Sequence, residues 1–140
     1  VGTRTMRQLG WPSRFQDCRF YLKTIIMNIS GVGTDIADVG RFRDLPYNKN
    51  KIFYAKIFST DEIKYCLSKK DPYPHFAVRF SAKEAVIKAV GLNLAKVGDI
   101  GIINDKNGQP HVKIKKRKFD VLISLSHTKD YAVAFAIWLN

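Results

Sequence analysis

Apolar positions change their spacing along the chain, and each spacing predicts an element. Ile25 to Val32 is β-branched and apolar and predicts a strand. A helix is expected from about Ile36 to Leu45, capped by Thr34 or Asp35 and stopped by Pro46. Phe53 to Phe58 is expected to be a connecting segment. Ser59 or Thr60 caps the next helix, and Asp61 and Glu62 stand in its first turn, where the helix dipole favours acids. The run Asp71-Pro-Tyr-Pro74 breaks that helix. A long helix follows to Val90, with an apolar stripe and with Gly91 as its C-terminal cap. Ile100 to Ile103 predicts a strand, Asn107-Gly108 a hairpin turn with Pro110 just after it, and the alternation from His111 to Lys115 a second strand. Val121 to Ser126 and Ala132 to Trp138 predict two more. Helices and strands are segregated in part, which gives an α+β class.

The first 26 residues do not share this patterning. Arg4, Arg7, Arg14, Arg19 and Lys23 face one acid, Asp17, with no clean period. Such a segment suits an organelle-targeting peptide or upstream translated or vector-derived sequence. The chain begins with Val1, and Met27 is a candidate native start. The expected division is a leader or extension over 1–26 and one domain over 27–140, since 140 residues suffice for a single core. The formal charge of +12 favours acidic partners: nucleic acid, anionic lipid, phosphorylated cofactors or an acidic protein. No apolar run reaches the roughly 20 residues of a membrane span. Cys18 and Cys66 lie far apart without metal-ligand spacing, which predicts free thiols in a reducing compartment.

Candidate chemistry sits in three segments. On the long helix, Glu84 and Lys88 fall one turn apart on one face, and Arg79 and Lys83 form a second pair displaced around the axis. One carboxylate among three cations suits a metal ion holding a phosphate. Gly31-Val-Gly-Thr-Asp35-Ile36 lacks the third glycine of a dinucleotide fingerprint, and what remains is a carboxylate beside a flexible glycine pair. Asp35 reads either as a helix cap or, with Glu84, as half of the hard-oxygen pair that Mg²⁺ accepts from a protein. Glu84 and Lys88 read either as a surface ion pair or as part of that site. His127 follows Ser126 at a strand end, where neighbours point to opposite faces, so the two make no Ser–His couple. His127 is either structural or a donor to a phosphate or ribose. The three histidines lack His-Glu-x-x-His spacing, which argues against zinc. Lys113 to Lys118 is a charged hairpin edge or an anion patch without the aromatic interleaving that stacks bases.

Together these segments resemble the holo-[acyl-carrier-protein] synthases, the small type of 4′-phosphopantetheinyl transferase. The resemblance rests on Gly31 to Ile36, on Arg79-Phe-Ser-Ala-Lys-Glu-Ala-Val-Ile-Lys-Ala89, on Ser124-Leu-Ser-His127-Thr-Lys-Asp-Tyr131-Ala132 and on Asn107-Gly-Gln-Pro110, in matching order from about Ile29 to Trp138. Residues 1–26 have no counterpart, and Lys116 to Val121 is shorter than in many members. The resemblance implies one α+β domain, an antiparallel sheet with a long helix, and active sites at subunit interfaces. It implies transfer of the phosphopantetheine arm of coenzyme A, the substrate, to a serine of apo acyl carrier protein, in support of fatty acid synthesis. It assigns Mg²⁺ to Asp35 and Glu84, with Asp35, Glu84 and Lys88 catalytic: Glu84 accepts the serine proton and Lys88 stabilises the leaving phosphate. Arg79 and His127 would hold the phosphoadenosine end, joined by Lys70, Pro110 and Ser126. Arg41, Arg43, Lys49 and Lys51 would dock the acidic carrier. The expected assembly is a homotrimer with no nucleic acid or membrane partner, in the bacterial cytoplasm, or in an organelle if residues 1–26 are a transit peptide. The alternative function is a small basic nucleic-acid-binding protein, which explains the charge but not Asp35, Glu84 and His127 in register.

Overall fold

The computed structural model describes residues 28–91, 95–116 and 118–140; the 1–26 segment, Met27 and Cys18 lie outside them. The chain runs β1 (Ile29–Asp38), α1 (Gly40–Arg43), α2 (Lys51–Ile57), α3 (Thr60–Leu67), α4 (Tyr73–Val90), β2 (Ile100–Asn104), β3 (Pro110–Ile114), β4 (Asp120–His127) and β5 (Tyr131–Leu139). All pairings are antiparallel. β5 lies between β1 and β4, and β2 and β3 form a separate hairpin that turns through Gly108, whose φ of 82° suits glycine. The expected α+β class with an antiparallel sheet and a long helix is the observed one.

Small residues set the central contact. Gly31, Gly33, Ala37, Ala132, Ala134 and Ala136 point to one face of the sheet, and α4 lies directly on it. A Cβ at Gly31 would collide with the carbonyl oxygen of Ala89, and one at Gly33 with that of Ala85. The two glycines are therefore contact residues whose missing side chains let strand and helix backbones meet. Flexibility is not their purpose.

Helix α4 is buried nearly all round and not along one stripe. Its C-terminal half packs Ala82, Val86 and Val90 with Ile100, Ile102 and the sheet alanines. Its N-terminal half packs Phe76 and Ala77 with Phe42, Tyr54, Phe58 and Cys66 from the shorter helices. Tyr54 donates its hydroxyl to the Leu45 carbonyl at 2.9 Å, so this aromatic core closes without a stranded polar atom. Gly91, with φ at 99°, ends the helix as the sequence predicts.

Three expectations fail. The first strand continues to Asp38, so neither Thr34 nor Asp35 caps a helix. Pairing with β5 from Ile29 to Asp38 overrides the local pattern, and only Gly40–Arg43 is helical before Pro46. Phe53 to Phe58 is not a connector: Lys51–Ile57 is helical because Tyr54 and Phe58 fall one turn apart and enter the same aromatic core. Ser59 is the cap of α3, and it forms a reciprocal capping box with Glu62.

Candidate active site

The alternation of β1 turns Asp35 inward, toward α4. Its Oδ2 accepts from the Ser81 hydroxyl at 2.9 Å, and its Oδ1 accepts from the Lys88 ammonium at 2.9 Å. Lys88 also donates to the Thr34 carbonyl at 2.9 Å. Ser81, Glu84 and Lys88 are spaced i, i+3 and i+7, one stripe on α4. Asp35 thus grips the helix one turn before and one turn after Glu84, which sets the two carboxylate-bearing residues on the same side of α4. Glu84 is half-buried and makes no ion pair or side-chain hydrogen bond among the described residues. The surface ion pair between Glu84 and Lys88 does not form, because Lys88 reaches across to the strand.

A second group of side chains surrounds Arg79, which is 3% exposed. Its guanidinium lies 3.9 Å over the Tyr65 ring, and its Nη2 donates to Asn104 Oδ1 at 2.7 Å. Its Nε is buried and has no partner among the described residues. Asn104 donates in turn to the Gly108 carbonyl at 2.9 Å, so one amide ties the β2–β3 turn to α4. Asn104 faces Pro110 across the hairpin, which places Pro110 beside this group. His127 ends β4 on the inner face, with its ring 4.9 Å from that of His75. His75 in turn lies 6.1 Å from Tyr65, and the Lys69 ammonium lies 4.3 Å over the same tyrosine ring. Burial, then His127, Arg79 and Lys69, hold the His75 imidazole below its ordinary pKa, while Asp71 opposes them.

Of the residues expected near the phosphoadenosine end, Arg79 and His127 are linked through the Tyr65 and His75 rings, and Pro110 pairs with Asn104, the partner of Arg79. Lys70 is exposed, and Lys69 is the cation over Tyr65. Ser126 pairs with Val133 on the outer sheet face, opposite His127. Tyr65, Lys69, His75 and Asn104 were not singled out from the sequence. The only available hints were the i,i+4 spacings of His75 with Arg79 and of Tyr65 with Lys69.

Lys83 leaves the phosphate-facing set. Its ammonium is buried, donating to Glu62 Oε2 at 2.8 Å and to the Ile57 carbonyl at 2.7 Å. Glu62 also accepts from the backbone N–H of Ser59 at 2.8 Å and of Ile102 at 3.1 Å. Burial pulls the Lys83 pKa down and the Glu62 charge opposes it. The pair locks α2, α3, α4 and β2 at one point, so the cations that remain for chemistry are Arg79 and Lys88.

The profile described as the 4′-phosphopantetheinyl transferase superfamily matches residues 31–136, which contain every element of this cleft. The chain belongs to this superfamily. A holo-[acyl-carrier-protein] synthase from Thermodesulfovibrio yellowstonii is 42% identical over 113 residues, covering 78% of this chain and 97% of its own. One from Chlamydia felis is 39% identical over 122 residues, covering 81% and 99%. Among solved structures, the Bacillus anthracis holo-(acyl-carrier-protein) synthase in complex with CoA (3′,5′-ADP) superposes with a TM-score of 0.67 at 30% identity, covering 80% of this chain and 97% of that one. The nucleic-acid-binding alternative gains no support from these relatives.

The cations expected to dock a carrier differ in this transferase fold. Arg41, Lys49 and Lys51 are exposed. Arg43 instead holds Asp71 in a two-pronged pair, at 3.2 and 2.6 Å. That bond draws the Asp71 pKa down and raises that of Arg43. Its charge is offset on the spot, and it presents less to a partner than Arg41 does.

Proposed function

We propose that the chain carries out the reaction its relatives are named for, moving the 4′-phosphopantetheine arm of coenzyme A to a serine of apo acyl carrier protein and releasing 3′,5′-ADP. The observation that carries this reading is the grip of Asp35 on α4 on both sides of Glu84. Arg79 lies five residues before Glu84, about 7 Å along the helix axis. A carboxylate cleft and a cationic seat so spaced suit the pyrophosphate and the phosphoadenosine end of one cofactor.

Asp35 and Glu84 fit a hard cation. Among the described residues no cluster of three His, Cys, Asp or Glu side chains exists, and two carboxylates plus substrate oxygens are what Mg²⁺ accepts. When bound, the ion would neutralise charge developing at the attacked phosphorus. Ser81 orients Asp35 for that task. Glu84, half-exposed and without a side-chain partner among the described residues, would take the serine proton, and Lys88 would neutralise the departing phosphate. Arg79, with its unpartnered Nε, and His127 hold the phosphoadenosine end.

The reading extends to assembly and docking. The outer sheet face carries exposed Val32, Ile36, Leu122, Val133 and Phe135, an apolar surface unusual on a lone chain. A homotrimer would cover it. Arg41, Lys49 and Lys51 would meet an acidic carrier. Residues 1–26 have no part in transfer, and the compartment follows the bacterial relatives, the cytoplasm, unless that segment is a transit peptide. The decisive test is incubation with apo acyl carrier protein, coenzyme A and Mg²⁺, followed by mass spectrometry of the carrier. One added arm per carrier supports the reading; an unmodified carrier under conditions that keep the enzyme folded rejects it.

A further inference from the structure

We infer that His75 is a second histidine of the phosphate seat, paired with His127, and that binding of a phosphate monoester there takes up a proton. The inference rests on the reading that Arg79 and His127 hold the phosphoadenosine end of coenzyme A.

Four observations lead to it. The two imidazoles approach to 4.9 Å between ring centres, although they come from α4 and β4 and nothing in either element requires the contact. Arg79 is nearly fully buried and leaves Nε without a partner among the described residues, so a hydrogen bond is owed there that a ligand oxygen can supply. The charged or titratable groups that act on His75 among the described residues are His127 on β4, Arg79 on its own helix, Lys69 after α3 and Asp71 before α4. Asp71 is the only acid of the four, and it already bonds Arg43 through both oxygens. The neutral Tyr65 ring completes the wall. A site with two fixed cations, two imidazole rings and, among the described residues, no acid free of a partner has a surplus of positive charge that a dianion matches.

The proton follows from the same geometry. Charging both rings in the free protein places like charges side by side beside Arg79 and Lys69, so burial and repulsion keep His75 neutral. A phosphate with two negative charges reverses that balance, because an imidazolium at His75 then donates to an oxygen. The His75 pKa therefore rises on binding. The complex therefore holds more protons than the free protein near neutral pH. Above the phosphate's own second pKa of about 6, affinity falls as pH rises toward about 8, the range in which histidines lose their charge.

Isothermal titration calorimetry with adenosine 3′,5′-bisphosphate, in two buffers of different ionisation enthalpy, reads affinity and proton uptake together. The wild-type chain should take up a proton fraction with this ligand and much less with 5′-AMP, which lacks the second phosphate. His75→Phe keeps the ring contact with Tyr65 and His127 but removes the titration, and His75→Gln keeps a donor without the titration. Both should lower proton uptake, and His75→Phe should weaken the bisphosphate about tenfold at pH 6.5, the loss of one charge-assisted bond. Thermal melts identify any variant that fails to fold, and the other then decides. Arg79→Gln separates the two readings. If it binds the bisphosphate as well as wild type, the phosphoadenosine seat is wrong and the inference falls with it. If it binds weakly while both His75 variants keep wild-type affinity and proton uptake, the seat stands and the role of His75 is refuted.

Discussion

Glu84 and Asp35 carry the same functional group on one side of α4, yet their surroundings differ. Asp35 is held by a hydroxyl and an ammonium, whereas Glu84 has no side-chain partner among the described residues. Removing the Glu84 charge should therefore leave the fold intact and strike only chemistry. Glu84→Gln should lower kcat by roughly 10²–10⁴-fold, the range for a lost general base, with an unchanged melting temperature. Product release followed by chromatography gives kcat, and a variant within a fewfold of wild type would remove Glu84 from proton transfer. At this scale the sequence was legible where chemistry clusters in short motifs: Asp35, Arg79, Glu84, Lys88 and His127 all stand out by type and spacing. It was silent where a neighbour of the candidate site is recruited from a distant element. Asn104 reaches Arg79 across 25 residues, and no local period marks it. Lys83 misled because a cation in a basic motif gives no sign that a buried glutamate from another helix has claimed it.

Elements meet through small residues and one buried charge pair. The glycines of β1 let α4 touch the strand backbone, and that contact sets where Asp35 lies against the helix. The Glu62–Lys83 pair fixes the other side of α4, with each side chain almost fully buried. Glu62→Ala would strand the Lys83 ammonium and two backbone N–H donors. It should destabilise the fold by about 3–5 kcal/mol, as breaking one side of a buried pair does. A second change, Lys83→Met in the same chain, should restore part of that loss, because the uncompensated charge is then gone. Urea melts of the single and double variants measure both, and no recovery in the double would mean the pair is not the reason Glu62 matters. The element-level misreadings share one cause. Residues 36–38 and 53–58 take their structure from partners far along the chain, β5 for the first and the aromatic core for the second. Helix α4, the hairpin and the C-terminal strands were legible because Pro74, Gly91, Asn107-Gly108 and the alternation in β5 act locally.

Surface charge and surface apolarity divide the work of the whole molecule. Arg41 is exposed and Arg43 is committed to Asp71, so equal substitutions should have unequal effects. Arg41→Glu should raise KM for the carrier severalfold, with KM for coenzyme A unchanged and a weaker dependence on salt, as rim charges govern encounter. Arg43→Glu should do less to carrier KM. Equal effects would show that the Asp71 contact does not withhold Arg43 from the partner.

The proposed homotrimer would draw on the outer face of the sheet. Cross-strand pairing lines Val32, Ile137 and Leu122 in one row, Thr34, Phe135 and Ser124 in the next, and Ile36, Val133 and Ser126 in the third. The rows face away from α4, and Val32, Ile36, Leu122, Val133 and Phe135 are exposed in the single chain, with Ile137 half-buried. An apolar face of this kind, on three strands whose other face is already filled, needs a partner surface, and copies of the same chain supply one by symmetry. Ser126 belongs to that outer face while His127 points inward, so the proposed assembly would bring Ser126 to the interface. Phe135 sits at the centre of the nine positions. Phe135→Asp should therefore convert a trimer to monomers in light scattering while circular dichroism stays native, and transfer should fall with assembly. Activity of the wild-type chain should likewise drop per subunit on dilution. A fully active Phe135→Asp monomer would refute the trimer as the working form and leave each subunit with a complete cleft of its own.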